Sequence, residues 1–396
     1  MSAARVPLTE VADLMAPGQP LPFRVLDGAG RLLLAQGQTI HGVQQLKALL
    51  ERGASVEQEE VREVRARQAA CAPGGGPVPS LREPTWFDRF EQQTWGLDDL
   101  LRTLNKGAEM LAATEAETGS SWVARAGAFA DTFIERVERH PDAALFLAVR
   151  QDDRRFALYA LTHALHTATV VLLGARQLAW TPAQARTAVL AALTMNASIV
   201  ELQARMAEQK EPAGKGQLEL IRAHPHRSAE LLAAAGVADG LWLDAVRDHH
   251  ERKAGGYPRG EAEPGEVARL VRACDVFTAK ISPRALRAAL PPQVAARQLF
   301  QEEGGGPLAM AVIKAIGVYP PGDLVSLKNG EAAVVVARSA AANAPQVAVL
   351  LNAQGKPVNG APRRDTGQPE LAIAGPLADR SRIVRVLPEV VYGLLK

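Results

Sequence analysis

The most informative stretch of this chain reads His249-His250-Glu251-Arg252-Lys253-Ala254-Gly255-Gly256-Tyr257-Pro258-Arg259-Gly260. The two adjacent histidines are candidate metal ligands, because imidazole is the commonest side-chain ligand for divalent transition metals. The glycines that follow let backbone and an anionic ligand approach closely. A histidine pair alone is equally compatible with a structural role, so the interpretation depends on residues elsewhere in the chain.

Further candidates lie in three segments with helical patterning. Two histidines about one helical turn apart occur upstream, a His-Pro pair occurs in the middle, and an aspartate followed by two arginines occurs downstream. Taken singly, a buried histidine often just bonds a backbone carbonyl, and two exposed arginines are often a solvated helix face. The residues concerned are His163, His166, His224, Asp275, Arg284 and Arg287.

Taken in order, these residues resemble the HD-GYP family of metal-dependent phosphodiesterases, which cleave the bacterial second messenger cyclic di-GMP. The resemblance covers Trp86 to about Val336. His163 fits the first family histidine better than His166, because it lies at the expected distance before Met195. The resemblance implies metal ligands at His163, His224, His249, His250 and Asp275, and contacts to the dinucleotide from Tyr257, Arg284 and Arg287.

The chain departs from the family where the His-Asp pair is expected. It has Met195-Asn196 there, with Ser198-Ile199 in place of Gly-Lys, and Lys253-Ala254 where the family has Asp-Gly. A thioether and a neutral amide cannot replace a carboxylate that bridges two metal ions. We therefore assign no catalytic residue, and the retained cations indicate a protein that holds the dinucleotide without cleaving it.

The predicted fold is mainly α, an HD-GYP-type helical bundle flanked by a small N-terminal α+β module and a small C-terminal β-rich cap. Helical periodicity runs from Trp86 to about Gly317. Turn signals at Asp27–Gly30 and at Asn329-Gly330 predict a hairpin on each side. The predicted domains are a module over 1–67, a Pro- and Gly-rich linker over 68–85, the bundle over 86–320 and the cap over 321–396.

Composition excludes several classes of protein. A formal net charge of +2 over 396 residues gives no broad field for a nucleic acid polymer. Two cysteines suit a reducing compartment, and no apolar run approaches ~20 residues, so we expect a cytoplasmic protein without membrane insertion. We expect the first amphipathic helix after the linker, which begins near Trp86, either to pack in its own bundle or to form the arm of a homodimer.

Three hypotheses on function follow. The first is a cyclic di-GMP signalling protein, catalytically impaired, that binds the dinucleotide or docks other signalling proteins such as diguanylate cyclases. The second is a metal-dependent phosphodiesterase with an atypical site, and the third is a structural adaptor of the related HDOD type. The implied cofactor is a divalent ion (Fe, Mn or Zn) at reduced stoichiometry, or none.

Overall fold

The computed structural model describes residues 5–14, 21–28, 32–38, 49, 53–70, 85–151, 156–252, 264–358, 360–379, 383 and 386–394. The chain divides into two compact units, Met1–Trp95 and Gly96–Lys396. The domain boundaries expected from the sequence stay a prediction.

The first unit contains a small antiparallel sheet followed by a helix. Its strands are β1 (Arg5–Pro7), β2 (Val25–Leu26), β3 (Leu32–Leu34) and β4 (Ser55–Glu57), in the order β1-β4-β2-β3, and the helix is α1 (Gln58–Ala70). Leu8, Phe23 and Val56 are fully buried in its core. β2 and β3 pair as the predicted hairpin, although residues 29–31 of the turn lie outside the described part. α1 continues past the predicted linker start at residue 68, and residues 71–84 are not described.

The helices that follow confirm the mainly α fold. In chain order they are α2 (Trp86–Asn105), α3 (Ala108–Thr118), α4 (Trp122–Arg139), α5 (Pro141–Arg150), α6 (Tyr159–Gln177), α7 (Pro182–Thr194), α8 (Val200–Glu208), α9 (Lys215–Ala234), α10 (Gly240–Asp248), α11 (Glu266–Ile281), α12 (Pro292–Glu302), α13 (Pro307–Ile316) and α14 (Pro388–Val391).

Local sequence explains where these helices begin. Thr181 and Gln184 form a reciprocal capping box at the start of α7, with Pro182 at the first helical position. Asp239 caps α10, because its side chain accepts hydrogen bonds from the backbone N–H groups of Leu241 and Trp242. α6 is buried on nearly every face and packs against α5, α7, α11 and α13, so it is the central helix of the bundle.

The second unit ends in a five-stranded antiparallel sheet. Its strands are β5 (Leu324–Leu327), β6 (Ala332–Ala337), β7 (Gln346–Leu351), β8 (Arg363–Asp365) and β9 (Ile373–Pro376), in the order β8-β7-β6-β5-β9. The predicted Asn329-Gly330 turn joins β5 to β6, with Gly330 at a φ of 86°. One face of the sheet packs on Phe146 of α5, and Arg338 pairs with Asp142 of the same helix.

One segment among the described residues is long and apolar enough to cross a membrane. Pro182–Glu208 reaches a mean hydropathy of 1.2 over its most apolar window, but 67% of that window is buried inside the protein. Core helices of globular proteins have the same composition, so this feature is weak support for a membrane span.

Truncating Phe146 should test whether the sheet and the bundle share one core. Phe146 is 1% exposed, so Phe146→Ala should lower the free energy of unfolding by about 3–5 kcal/mol. Phe146→Leu, which keeps most of the volume, should cost less than about 1.5 kcal/mol. Urea unfolding of the full chain measures both values, and equal, small losses would contradict a shared core.

Candidate metal centre

Three histidines, one from the middle of α9 and two from the end of α10, converge in the second unit. His224 lies in α9, His249 follows the last residue of α10, and His250 comes next. Their ligand nitrogens all lie within 4.8 Å of one another. His224 and His249 are 2% and 0% exposed. This cluster, called the histidine trio below, brings together three of the five metal ligands that the resemblance implies.

The ring of His224 is oriented by the proline that follows it. Pro225 lies inside α9 and has no N–H to give to the carbonyl of Ile221, four residues before it. The Nδ1 atom of His224 lies 2.6 Å from that carbonyl oxygen and donates the missing hydrogen bond. The proton is therefore on Nδ1, and the lone pair of Nε2 faces the trio.

His249 is oriented in the same way by a helix end. Val246 lies in the last turn of α10, whose carbonyls have no partner farther along the helix. Nδ1 of His249 donates to the Val246 carbonyl at 2.7 Å. Its Nε2 lone pair therefore also faces inward, 3.2 Å from Nε2 of His224.

This geometry fits a metal ion better than it fits a hydrogen bond. Two nitrogens that both present lone pairs repel each other, because neither carries a proton to share. Two imidazole nitrogens bound tetrahedrally at 2.0–2.1 Å from zinc lie about 3.3 Å apart, close to the separation found here. The histidine trio could therefore hold a divalent transition metal.

Burial keeps the three imidazoles neutral. Loss of water lowers the pKa of His224 and His249 to about 3, and the pKa of His250 to about 4. Each histidine is also close enough to Asp275 for its charge to favour the protonated form, but burial outweighs that effect. Neutral imidazole is the form that binds metals, so the trio is in its binding form at physiological pH.

The other two predicted ligands, His163 and Asp275, are hydrogen-bonded to each other. Nε2 of His163 in α6 lies 2.7 Å from Oδ1 of Asp275 in α11. Burial alone would raise the pKa of Asp275, but the hydrogen bond from His163 and the nearby histidines hold it below its usual value. Asp275 is therefore a carboxylate and accepts the Nε2 proton. Within the described residues, the buried Nδ1 of His163 has no hydrogen-bond partner, which a bound ion or water would supply.

The segment at the position of the expected His-Asp pair is buried in the core. Met195, Ala197 and Ile199 are 0%, 1% and 6% exposed. Ser198 donates its hydroxyl to the carbonyl of His224 at 3.1 Å, and its backbone N–H donates to the hydroxyl of Ser228. The segment therefore joins α9 as part of the core and brings no carboxylate to the trio.

Two of the three predicted ligand-binding residues lie in the segment that follows α11. Arg284 and Arg287 form a tight turn after α11, in which the backbone groups of each bond the other at 2.9 and 3.1 Å. Partial desolvation, and then the charge of Arg284, lower the pKa of Arg287, so two cations lie close together. Tyr257 lies in residues 253–263, which the structure does not describe.

Tyr159 is a site residue that the sequence did not reveal. It is 6% exposed, its ring lies parallel to that of His163 at 5.4 Å, and its hydroxyl accepts a hydrogen bond from Arg284. The available signal was weak: a tyrosine one helical turn before a candidate histidine. Its partner Arg284 lies 125 residues farther along the chain.

Comparison with known proteins gives one curated relative. The chain is 29% identical over 240 residues to the cyclic di-GMP phosphodiesterase PA4108 of Pseudomonas aeruginosa, a match that covers 59% of this chain and 57% of that protein. This similarity confirms the resemblance that the motifs predicted. No family model matches the chain. Among solved structures, Bd1817, an HDG"Y"P protein from Bdellovibrio bacteriovorus, is 15% identical, with a TM-score of 0.44, and the match covers 79% of this chain and 99% of that one.

Metal titration of the purified full chain should test the trio. We expect one Zn²⁺ or Mn²⁺ per chain, and His249→Gln should weaken binding by more than about 10²-fold, because changes even outside the ligand set cost 10–100-fold. His226→Gln is the matched control, since His226 is exposed and two residues from His224. Equal metal content in all three proteins, measured by plasma mass spectrometry after dialysis, would contradict a site at the trio.

Proposed function

We propose that this protein is a cytoplasmic cyclic di-GMP signalling protein that acts by binding the dinucleotide, or by docking another signalling protein such as a diguanylate cyclase, with little or no hydrolysis. The similarity to a cyclic di-GMP phosphodiesterase supports the ligand. The chain spans only 57% of that relative, so activity, substrate and partners are carried over as proposals.

The observation that carries the proposal is the contrast between the trio and the segment beside it. The histidine trio keeps the geometry of a metal site, whereas Met195 is fully buried and Asn196 is neutral. Hydrolysis of a phosphodiester in a two-metal site needs both ions held symmetrically, and a shared carboxylate is the means of holding them. Without this carboxylate, we expect the chain to bind a single ion at the trio and no second ion beside it.

The residues present suggest a division of roles. His224, His249 and His250 would hold one ion, and the Asp275 carboxylate would offset its charge from the position that His163 fixes. A divalent ion bound there would supply Lewis-acid character to a phosphate oxygen. Arg284 and Arg287 would pair with the phosphate charges, and Tyr257 would contact a base at the rim.

The second candidate function, a weak phosphodiesterase, is favoured by the convergence of the two Nε2 lone pairs. A single ion in this position is the minimum that metal-assisted hydrolysis requires. The third hypothesis, a structural adaptor without a ligand, does not explain why Nε2 of His224 and Nε2 of His249 face each other.

Calorimetric titration with cyclic di-GMP tests the binding proposal. The wild-type full chain should bind, and Arg284→Ala with Arg287→Ala should weaken binding by about 10²-fold or more, because each charge-assisted bond contributes roughly 1.5–3 kcal/mol. Arg222→Ala with Arg227→Ala removes the same charge from exposed positions of α9 and should leave the affinity unchanged. Equal affinities for the wild type and the Arg284/Arg287 variant would place the ligand elsewhere. If the wild type does not bind cyclic di-GMP, only the proposal that the protein docks another signalling protein would remain.

Turnover assays test the loss of hydrolysis. With Mn²⁺ or Fe²⁺ supplied, the wild type should show no or very weak conversion of cyclic di-GMP, because the bridging carboxylate is missing. Met195→His with Asn196→Asp should raise the metal content per chain, while Met195→Leu, which keeps the apolar packing, should not. Rapid turnover by the wild type would establish the phosphodiesterase instead.

A further inference from the structure

Tyr159 and Arg284 form a buried contact between the central helix and the arginine turn. Nη2 of Arg284 donates to the Tyr159 hydroxyl at 2.5 Å, and the guanidinium carbon lies 4.7 Å from the centre of the tyrosine ring. A guanidinium over an aromatic face gains a cation–π attraction in addition to the hydrogen bond. Arg284 is thus held by two interactions with one side chain.

Tyr159 is itself held in place by the site. Its ring lies parallel to that of His163, with an angle of 7° between the planes, and His163 is fixed by its bond to Asp275. Tyr159 is almost fully buried in the first turn of α6, so its ring has little freedom to move. A continuous set of contacts therefore connects Asp275 to Arg284.

The backbone of the arginine turn is also fixed. Ala285 donates its N–H to the carbonyl of Ala207 at 2.8 Å, which attaches the turn to the end of α8. Nη2 of Arg287 donates to the carbonyl of Ala279 in α11. The two arginines therefore differ: Arg287 fastens the turn, and Arg284 is held by Tyr159.

One N–H group of the Arg284 guanidinium makes no hydrogen bond within the described part of the chain. Its Nε atom is buried and has no hydrogen-bond partner among the residues that the structure describes. An unpaired buried donor of a charged group is costly, so an acceptor is expected at that position. A phosphate oxygen is the acceptor that suits a guanidinium best.

We propose that Tyr159 is a positioning residue, which holds Arg284 by its Nη2 so that the Nε–H remains available to an oxygen of a phosphodiester ligand. This inference rests on the proposed binding of cyclic di-GMP. Tyr159 acts through Arg284 and does not touch the ligand. Removing its hydroxyl frees Arg284 to rotate among its rotamers, and the ligand must then restrict that motion when it binds.

A double-mutant cycle on the full chain tests this coupling. Affinity for cyclic di-GMP is measured by calorimetry for the wild type, Tyr159→Phe, Arg284→Ala and the double variant. Tyr159→Phe keeps the ring and should weaken binding by about 10-fold, roughly the value of one hydrogen bond. In the Arg284→Ala background the same change should have no further effect, because the side chain through which Tyr159 acts is gone.

Two controls separate positioning from a general structural role. Tyr392→Phe removes another largely buried hydroxyl, which donates to the carbonyl of Val336 at 2.7 Å, and should leave the affinity unchanged. The metal content of Tyr159→Phe should equal that of the wild type, since the ring that packs on His163 is kept. Arg284→Lys keeps the charge but loses the planar fork, and its affinity should not respond to Tyr159→Phe.

Each outcome decides between the inference and the function on which it rests. Additive losses, an unchanged affinity in Tyr159→Phe, or a loss of metal in that variant would overturn the positioning role while leaving cyclic di-GMP binding intact. No binding by the wild type would overturn both. A loss confined to backgrounds that contain Arg284 supports the positioning role.

Discussion

A buried hydrogen bond between His163 and Asp275 is the interaction on which the site depends. It joins α6 to α11, and one turn along the same interface the hydroxyls of Thr167 and Thr278 lie 2.7 Å apart. A carboxylate in the interior is tolerated only when it is paired, and breaking such a pair leaves an uncompensated charge. The bond therefore fixes the distance between the two helices and places a negative charge beside three neutral histidines.

The histidine trio relies on a different principle, because two of its rings are oriented by backbone carbonyls that would otherwise lack partners. Pro225 leaves the Ile221 carbonyl without a donor, and the end of α10 does the same for Val246. Each carbonyl accepts a hydrogen bond from Nδ1 of a histidine, and this bond also fixes the tautomer of the ring. The orientation of His224 and His249 therefore does not depend on the Met195-Asn196 segment, which is buried in the core.

Much of this arrangement could be predicted from the sequence. Helical periodicity and the Asn329-Gly330 turn identified the bundle and the last sheet, and the adjacent histidines identified the trio. The contact between Tyr159 and Arg284 could not be found, because a pair 125 residues apart leaves no periodic signal. The contact between His163 and Asp275 depends on how two helices 112 residues apart pack together, which motifs do not encode. Tyr257 and the domain boundaries stay predictions.

The sequence separation of its contacts also affects the order in which the site can be assembled. The contacts that orient His224 and His249 span three residues each, and the two rings meet across 25 residues, whereas His163 and Asp275 meet across 112. Closing the longer loop costs about 1.3 kcal/mol more conformational entropy than closing the shorter one. The trio is thus the part of the site with short sequence separations, because it needs only α9 and α10. The contact that carries the negative charge of Asp275 forms only when α6 and α11 pack together.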